Sequence, residues 1–150
     1  MSHSNALRHS DPLAWLIASE EIRQLASRYA IFYGARETQN LAALFIPDIN
    51  KWSVWERDIA EVIKTVDYAL LDATFFGAGE LPGRDMSRVP HPLVTETMAA
   101  LAGLGPEQRK KVWFIHMNHT NPLLDPKSEE AMLVRAAGYN IATEATRLDL

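Results

Sequence analysis

Short apolar segments alternate with amphipathic segments from residue 41 onward, and this alternation limits the folds open to the chain. The short segments are mostly apolar runs that predict buried strands: 41–47, 68–71 and 112–116. The segments between them repeat apolar side chains at helical spacing and predict helices: 53–65, 92–103 and 128–137. Continuous apolar strands separated by helices predict a sheet covered by helices. We therefore predict an α/β (α+β layered) fold.

Residues 1–40 have a different pattern, and we treat them as an N-terminal tail and helix of uncertain origin. Asp11-Pro12 offers a helix cap and a first-turn proline, and apolar side chains then follow at mostly helical spacing. The prediction for this part is a helix over 12–30. Later in the chain, Ser53 and Ser128 are the predicted caps of the helices over 53–65 and 128–137. The alternative is a strand from Tyr29 to Tyr33 that pairs with 41–47.

Composition excludes several functional classes. The chain has 150 residues, an apolar fraction of 47% and a net charge of −4, which are typical of one globular domain. Without clustered Lys and Arg, we expect neither nucleic-acid nor membrane binding. The sequence contains no cysteine, which excludes thiolate metal sites, and no apolar run is long enough to span a bilayer. We expect a cytoplasmic protein.

Acidic and imidazole side chains follow the predicted strands. Asp48 follows 41–47, Asp72 ends 68–71, and His116 ends 112–116, with His119 three residues later. A strand end is a rigid place to mount a metal ligand, and imidazole is a common ligand for zinc, iron and copper. Two alternatives remain open: His116 as a hydrogen-bonded structural residue, and Asp48 as a turn cap.

Four segments resemble metallo-β-lactamase-fold hydrolases, and the branch they resemble includes pyrroloquinoline-quinone biosynthesis protein B. The segments are LFIPDINKW (44–52), YALLDATFF (68–76), ELPGRDMSRVPHP (80–92) and FIHMNHTNPLLD (114–125). The resemblance covers residues 41–150, which it identifies as the C-terminal half of an αββα sandwich. It implies one sheet flanked by helices, preceded here by the N-terminal helix.

The resemblance also implies roles for individual residues. Asp48 matches the metal-bridging aspartate of the superfamily, and His116 matches its last metal ligand. His119 is a further candidate ligand. Asp72 matches an acidic position at the same edge, and His91 lies where related tRNA-processing hydrolases carry a proton-donating histidine. Zinc is the implied metal, with iron or manganese as alternatives.

The chain departs from this family in its first 40 residues, where the HxHxDH motif is absent. Residues 19–37 weakly resemble the first helix of SnoaL-like polyketide cyclases and dehydratases instead. The sequence therefore predicts a fusion or a truncated product. It also predicts an exposed apolar sheet face, and hence a homo-oligomer.

The predicted function is metal-dependent hydrolysis of an unidentified small molecule, with an incomplete metal site and with His91 and Asp72 in catalytic roles. A catalytically inactive binding or scaffold fragment of the same fold is the first alternative. A SnoaL-like cyclase or dehydratase is the second, and it would use a His/Asp pair without metal.

Overall fold

The computed structural model describes residues 30–36 and 39–148. The helix predicted over 12–30 lies outside these residues except for its last position, where the first strand begins. No helix in the described part of the chain is long and apolar enough to cross a membrane.

Five strands form a single sheet whose spatial order follows the sequence. They are β1 (Ala30–Arg36), β2 (Gln39–Ile46), β3 (Tyr68–Asp72), β4 (Val112–Ile115) and β5 (Asn140–Ile141). β1 pairs with β2 antiparallel, and β2 to β5 are parallel. In the hairpin, Tyr33 lies opposite Ala42 and Ala30 opposite Phe45. The alternative prediction of a strand that pairs with 41–47 is thus confirmed, and the sheet extends N-terminal to residue 41.

Helices connect the parallel strands, as predicted, but they are shorter than the sequence pattern indicated. They are α1 (Ile59–Lys64), α2 (Val94–Ala100), α3 (Pro106–Arg109) and α4 (Glu129–Ala136). Ser128 caps α4 as predicted, since its hydroxyl accepts the Ala131 N–H. The predicted cap of α1 at Ser53 is wrong. Asp58 accepts the Ala60 N–H instead, and residues 52–54 form a 3-10 turn.

The core lies on one face of the sheet, where the helices pack. Its strand residues alternate along β2, β3 and β4 and are fully buried: Leu44, Ile46, Ala69, Leu71, Val112 and Phe114. Ile63 of α1, Val94 of α2 and Val134 of α4 close this layer. Right-handed crossovers between strands that follow one another in space place their helices on one side of a sheet. The predicted α/β fold with one sheet flanked by helices is confirmed.

The opposite face of the sheet carries large apolar side chains that are less buried. Leu70 of β3 lies beside Trp113 of β4 in the strand register, and both are intermediate in burial, as is Ile115. Leu71 and Phe114, their neighbours on the other face, are fully buried. The two faces of the sheet therefore differ in how completely they are covered along β3 and β4.

Tyr139 makes a pH-dependent contribution to the free energy of unfolding. Its ring packs edge-on against that of Phe114, with 5.8 Å between the ring centroids. Burial raises the pKa of the Tyr139 phenol above the ordinary 10.0, and the positive charge of Arg109 opposes part of that rise. A raised folded-state pKa means that the unfolded chain ionises first. The contribution is complete below pH 10 and is lost as the pH rises through the folded-state pKa.

We expect wild-type protein to lose unfolding free energy relative to Tyr139→Phe when the pH rises above about 10. Urea unfolding of both proteins at neutral and alkaline pH measures this difference. The ionisation of the other tyrosines affects both proteins equally and therefore cancels in the comparison. A difference that stays constant with pH would contradict the burial argument.

Candidate functional site

The carboxyl ends of β2, β3 and β4 bring polar side chains to one edge of the sheet. Asp48 lies two residues beyond β2, Asp72 is the last residue of β3, and His116 directly follows β4. Because these strands are parallel neighbours, their carboxyl ends meet at the same edge, where α/β proteins commonly bind ligands. The strand pattern in the sequence is sufficient to predict this convergence.

Asp72 is the buried centre of the site. Its side chain is fully buried, and its carboxylate accepts four hydrogen bonds. Oδ1 accepts the Thr74 N–H at 2.8 Å and the Thr74 hydroxyl at 2.7 Å. Oδ2 accepts the Ile49 N–H at 3.1 Å and lies 2.8 Å from Nδ1 of His91. A carboxylate has about four acceptor positions, so protein donors occupy those of Asp72.

The loop after β3 delivers His91 to this carboxylate. A parallel bridge between Phe75 and Leu93 fixes the two ends of the loop, and the Val94 N–H donates to the Phe75 carbonyl. Nδ1 of His91 is 2.8 Å from Asp72 Oδ2 and 3.5 Å from Asp48 Oδ1. The network therefore assigns the proton to Nδ1 and leaves Nε2 of His91 unprotonated in the neutral ring.

His116 approaches the same centre from β4. Its Nδ1 lies 3.1 Å from the Thr74 hydroxyl, and its ring centroid is 6.4 Å from that of His91. His116 is exposed and has a φ of 60°, the left-handed region that few residues other than glycine adopt. Such backbone strain persists where the surrounding structure imposes it, and it is concentrated at functional sites.

Asn121 anchors the loop that follows His116. This residue is 3% exposed; its Nδ2 donates to the Ala73 carbonyl at 2.6 Å, and its Oδ1 accepts the Leu123 N–H. The Thr120 hydroxyl donates to Glu80 and so ties the loop to the segment that carries His91. His119 is exposed in this loop.

A divalent metal fits the donor set at this edge. Ligand atoms of Asp48, Asp72 and His91 all lie within 4.8 Å of one another. Carboxylate oxygens and imidazole nitrogens suit zinc, iron and manganese. The predicted ligands His116 and His119 are not members of this group. Because protein donors occupy the Asp72 carboxylate, the exposed Asp48 carboxylate is the acidic group most available to a metal. Asp48 does not cap the following helix, a role that Asp58 performs for α1.

The sequence interpretation missed Thr74. The available signal was the Asp-x-Thr spacing at 72–74, because aspartate side chains commonly accept from the backbone N–H two residues later. The spacing indicates that local turn. It carries no information on the contacts of the hydroxyl with His91 and His116, which lie 17 and 42 residues away in sequence.

Comparison with known proteins supports the predicted resemblance. The coenzyme PQQ synthesis protein B of Methylobacterium sp. (strain 4-46) is 31% identical over 101 residues, which are 62% of this chain and 33% of that protein. The protein of the same name from Xanthomonas campestris pv. campestris (strain B100) is 36% identical over 63 residues, 42% of this chain and 21% of that protein. No protein-family model matches the chain.

A solved structure shares the fold. The Zn(2+)-bound PqqB from Methylobacterium extorquens superposes with a TM-score of 0.59 and 25% identity, covering 81% of this chain and 46% of that one. The predicted resemblance to part of a metallo-β-lactamase-fold protein similar to PQQ synthesis protein B is confirmed. The matched region spans about a third or less of the curated relatives.

Proposed function

We propose that this chain carries part of the active site of a metal-dependent hydrolase of the metallo-β-lactamase type. The observation that supports it most is the 2.8 Å contact of buried Asp72 with His91, beside an exposed carboxylate and a second imidazole. The similarity to a zinc-bound protein of the same fold supports the choice of metal. The proposed substrate is a small molecule. Similarity of fold does not identify it, because one fold hosts many activities.

Asp48 and His116 are the metal ligands in this proposal. Asp48 has 69% of its side chain exposed, and Nε2 of His116 is left unprotonated when Nδ1 donates to Thr74. Zinc, or alternatively iron or manganese, would supply a nucleophilic hydroxide near neutral pH and would polarise the substrate. A catalytic zinc site needs a third protein ligand. His119 lies in an exposed loop, and in this proposal the third ligand comes from a second copy of the chain and not from His119.

His91 is the proton donor and Asp72 its orienting partner. When Nε2 of His91 also carries a proton, the buried carboxylate 2.8 Å from Nδ1 stabilises the positive ring. The Nε2–H then donates a proton to the leaving group. Because Asp72 is held by the Ile49 and Thr74 backbone N–H groups, the pair keeps one orientation through this transfer.

A second copy of the chain is the partner that we propose. The half-buried face with Leu70, Trp113 and Ile115 offers apolar surface for association, and a symmetric copy would bring further ligands toward an incomplete site. Light scattering across a dilution series measures the oligomeric state. A monomer at all concentrations would contradict this part of the proposal.

A catalytically inactive binding or scaffold fragment is the alternative function. In its favour, protein donors already occupy the acceptor positions of Asp72, so the edge is satisfied without a metal. The SnoaL-like alternative depends on residues 19–37, most of which lie outside the described residues.

Zinc binding separates these functions. Protein purified without a histidine tag and equilibrated with zinc should hold about one ion per chain by mass spectrometry. Asp48→Asn and His116→Ala should lose it, because each removes a proposed ligand. His119→Ala, the exposed histidine of the same loop, should retain it and is the matched control. No zinc above background in wild type would favour the inactive fragment.

A further inference from the structure

Thr74 lies where the two imidazoles and the buried carboxylate meet. It is 9% exposed, and its Oγ1 is 2.7 Å from Asp72 Oδ1, 3.2 Å from His91 Nδ1 and 3.1 Å from His116 Nδ1. Neither the sequence resemblance nor the metal-ligand assignment gives this residue a role. Its contacts nevertheless connect every imidazole at the sheet edge to one carboxylate.

The single proton of the Thr74 hydroxyl determines the direction of these hydrogen bonds. A hydroxyl donates once and accepts twice, and an ionised carboxylate only accepts. The hydroxyl therefore donates to Asp72 Oδ1, the shortest of its contacts, and accepts from Nδ1 of His116. The Nδ1–H of His91 donates to Asp72 Oδ2 at 2.8 Å, and its 3.2 Å contact with Oγ1 is the longer branch of that shared bond. His116 Nδ1 must then carry a proton to hydrogen-bond at 3.1 Å.

We propose that Thr74 is a positioning residue that fixes His116 in its Nδ1–H tautomer. Asp72 accepts the Thr74 hydroxyl proton, which leaves the hydroxyl oxygen to accept from His116, a residue with no direct hydrogen bond to Asp72 among the contacts above. Nε2 of His116 is thereby left with a lone pair for a metal, an arrangement in which a second partner orients a ligating imidazole. The metal-binding part of this inference rests on the proposed function, whereas the tautomer does not.

His91 and His116 depend on Thr74 to different extents. His91 donates directly to Asp72 at 2.8 Å, so its tautomer is fixed without the hydroxyl. His116 is exposed, and Thr74 Oγ1 is the hydrogen-bond acceptor recorded for its ring among the described residues. Without that acceptor the His116 ring would adopt the Nε2–H form that histidine prefers in water. In a Thr74 variant, His91 therefore serves as the internal control, and the tautomer of His116 is the measured quantity.

The test compares Thr74→Val, which keeps the shape and loses the hydroxyl, with Thr74→Ser, which keeps the hydroxyl. Long-range 1H–15N spectra of the metal-free proteins, taken where the rings are neutral, report which nitrogen carries the proton. We expect Nδ1–H for both histidines in wild type and in Thr74→Ser. In Thr74→Val we expect His91 to stay Nδ1–H and His116 to shift to Nε2–H.

Zinc affinity provides a second measurement. Loss of an orienting partner typically weakens metal binding by about 10- to 100-fold, so Thr74→Val should bind zinc that much more weakly while Thr74→Ser stays close to wild type. An Nε2–H form of His116 in wild type would overturn the inference even if Thr74→Val did not fold, and so would an unchanged tautomer in folded Thr74→Val. Wild type that binds no zinc but shows Nδ1–H at His116 would reject the proposed function and leave the positioning role standing.

Discussion

Asp72→Asn is expected to lower the unfolding free energy by about 2–4 kcal/mol. The wild-type carboxylate accepts four hydrogen bonds in a fully buried position. An amide oxygen can serve one pair of these donors, but the amide NH2 then faces the other pair. If the NH2 takes the Oδ2 position, the Ile49 N–H loses its acceptor, and His91 must change tautomer to accept. Chemical denaturation of the metal-free protein measures the loss.

Asp48→Asn is the matched control for this prediction. The substitution is the same and lies at the same sheet edge, but the Asp48 side chain is 69% exposed. We expect its unfolding free energy to stay within about 0.5 kcal/mol of wild type, as for other exposed positions. Equal losses in the two variants would show that Asp72 is not the structural centre of the site.

Phe114→Ala is expected to lower the unfolding free energy by about 4 kcal/mol. The Phe114 side chain is fully buried (0% exposed) on the helix-covered face of β4. Its ring packs edge-on against that of Tyr139. Removing the ring loses buried apolar area and leaves a cavity among rigid strand neighbours that cannot collapse fully. Thermal and urea unfolding both measure this effect.

Leu133→Ala on α4 is the control for the core prediction, because Leu133 is 53% exposed. It also replaces an apolar side chain with alanine, but it should change stability by no more than about 0.5 kcal/mol. A small effect of Phe114→Ala, comparable to that of Leu133→Ala, would contradict the assignment of the core to the helix-covered face.

The parallel strands were predictable because each is a short apolar run with a polar residue at its end. Val112–Ile115 lies within the predicted segment 112–116, and Tyr68–Asp72 extends the predicted segment 68–71 by one residue. The carboxyl ends of these strands bring Asp72 and His116 to one edge, as the pattern implied. Helix starts were less predictable. Ser53 and Asp58 are both good capping residues, and sequence alone does not show which one is followed by helical backbone.

The hydrogen-bond network of the site was not predictable, since it depends on contacts between residues far apart in sequence. Asp72 and His91 were each singled out, but their contact depends on a loop closed by the Phe75–Leu93 bridge. Thr74 contacts His91 and His116, which lie 17 and 42 residues away in sequence, and His116 has a left-handed backbone that no side-chain pattern encodes. The strand Ala30–Arg36 could be predicted only as an alternative, because its residues also fit the end of a helix.

The central claim, a metal site at the carboxyl edge of β2, β3 and β4, is tested most directly by anomalous diffraction from crystals equilibrated with zinc. We predict an anomalous peak within coordination distance of an Asp48 carboxylate oxygen and His116 Nε2, absent from crystals of Asp48→Asn. Crystals that bind zinc only at other positions, or that show no peak at this edge with zinc in excess, would contradict it.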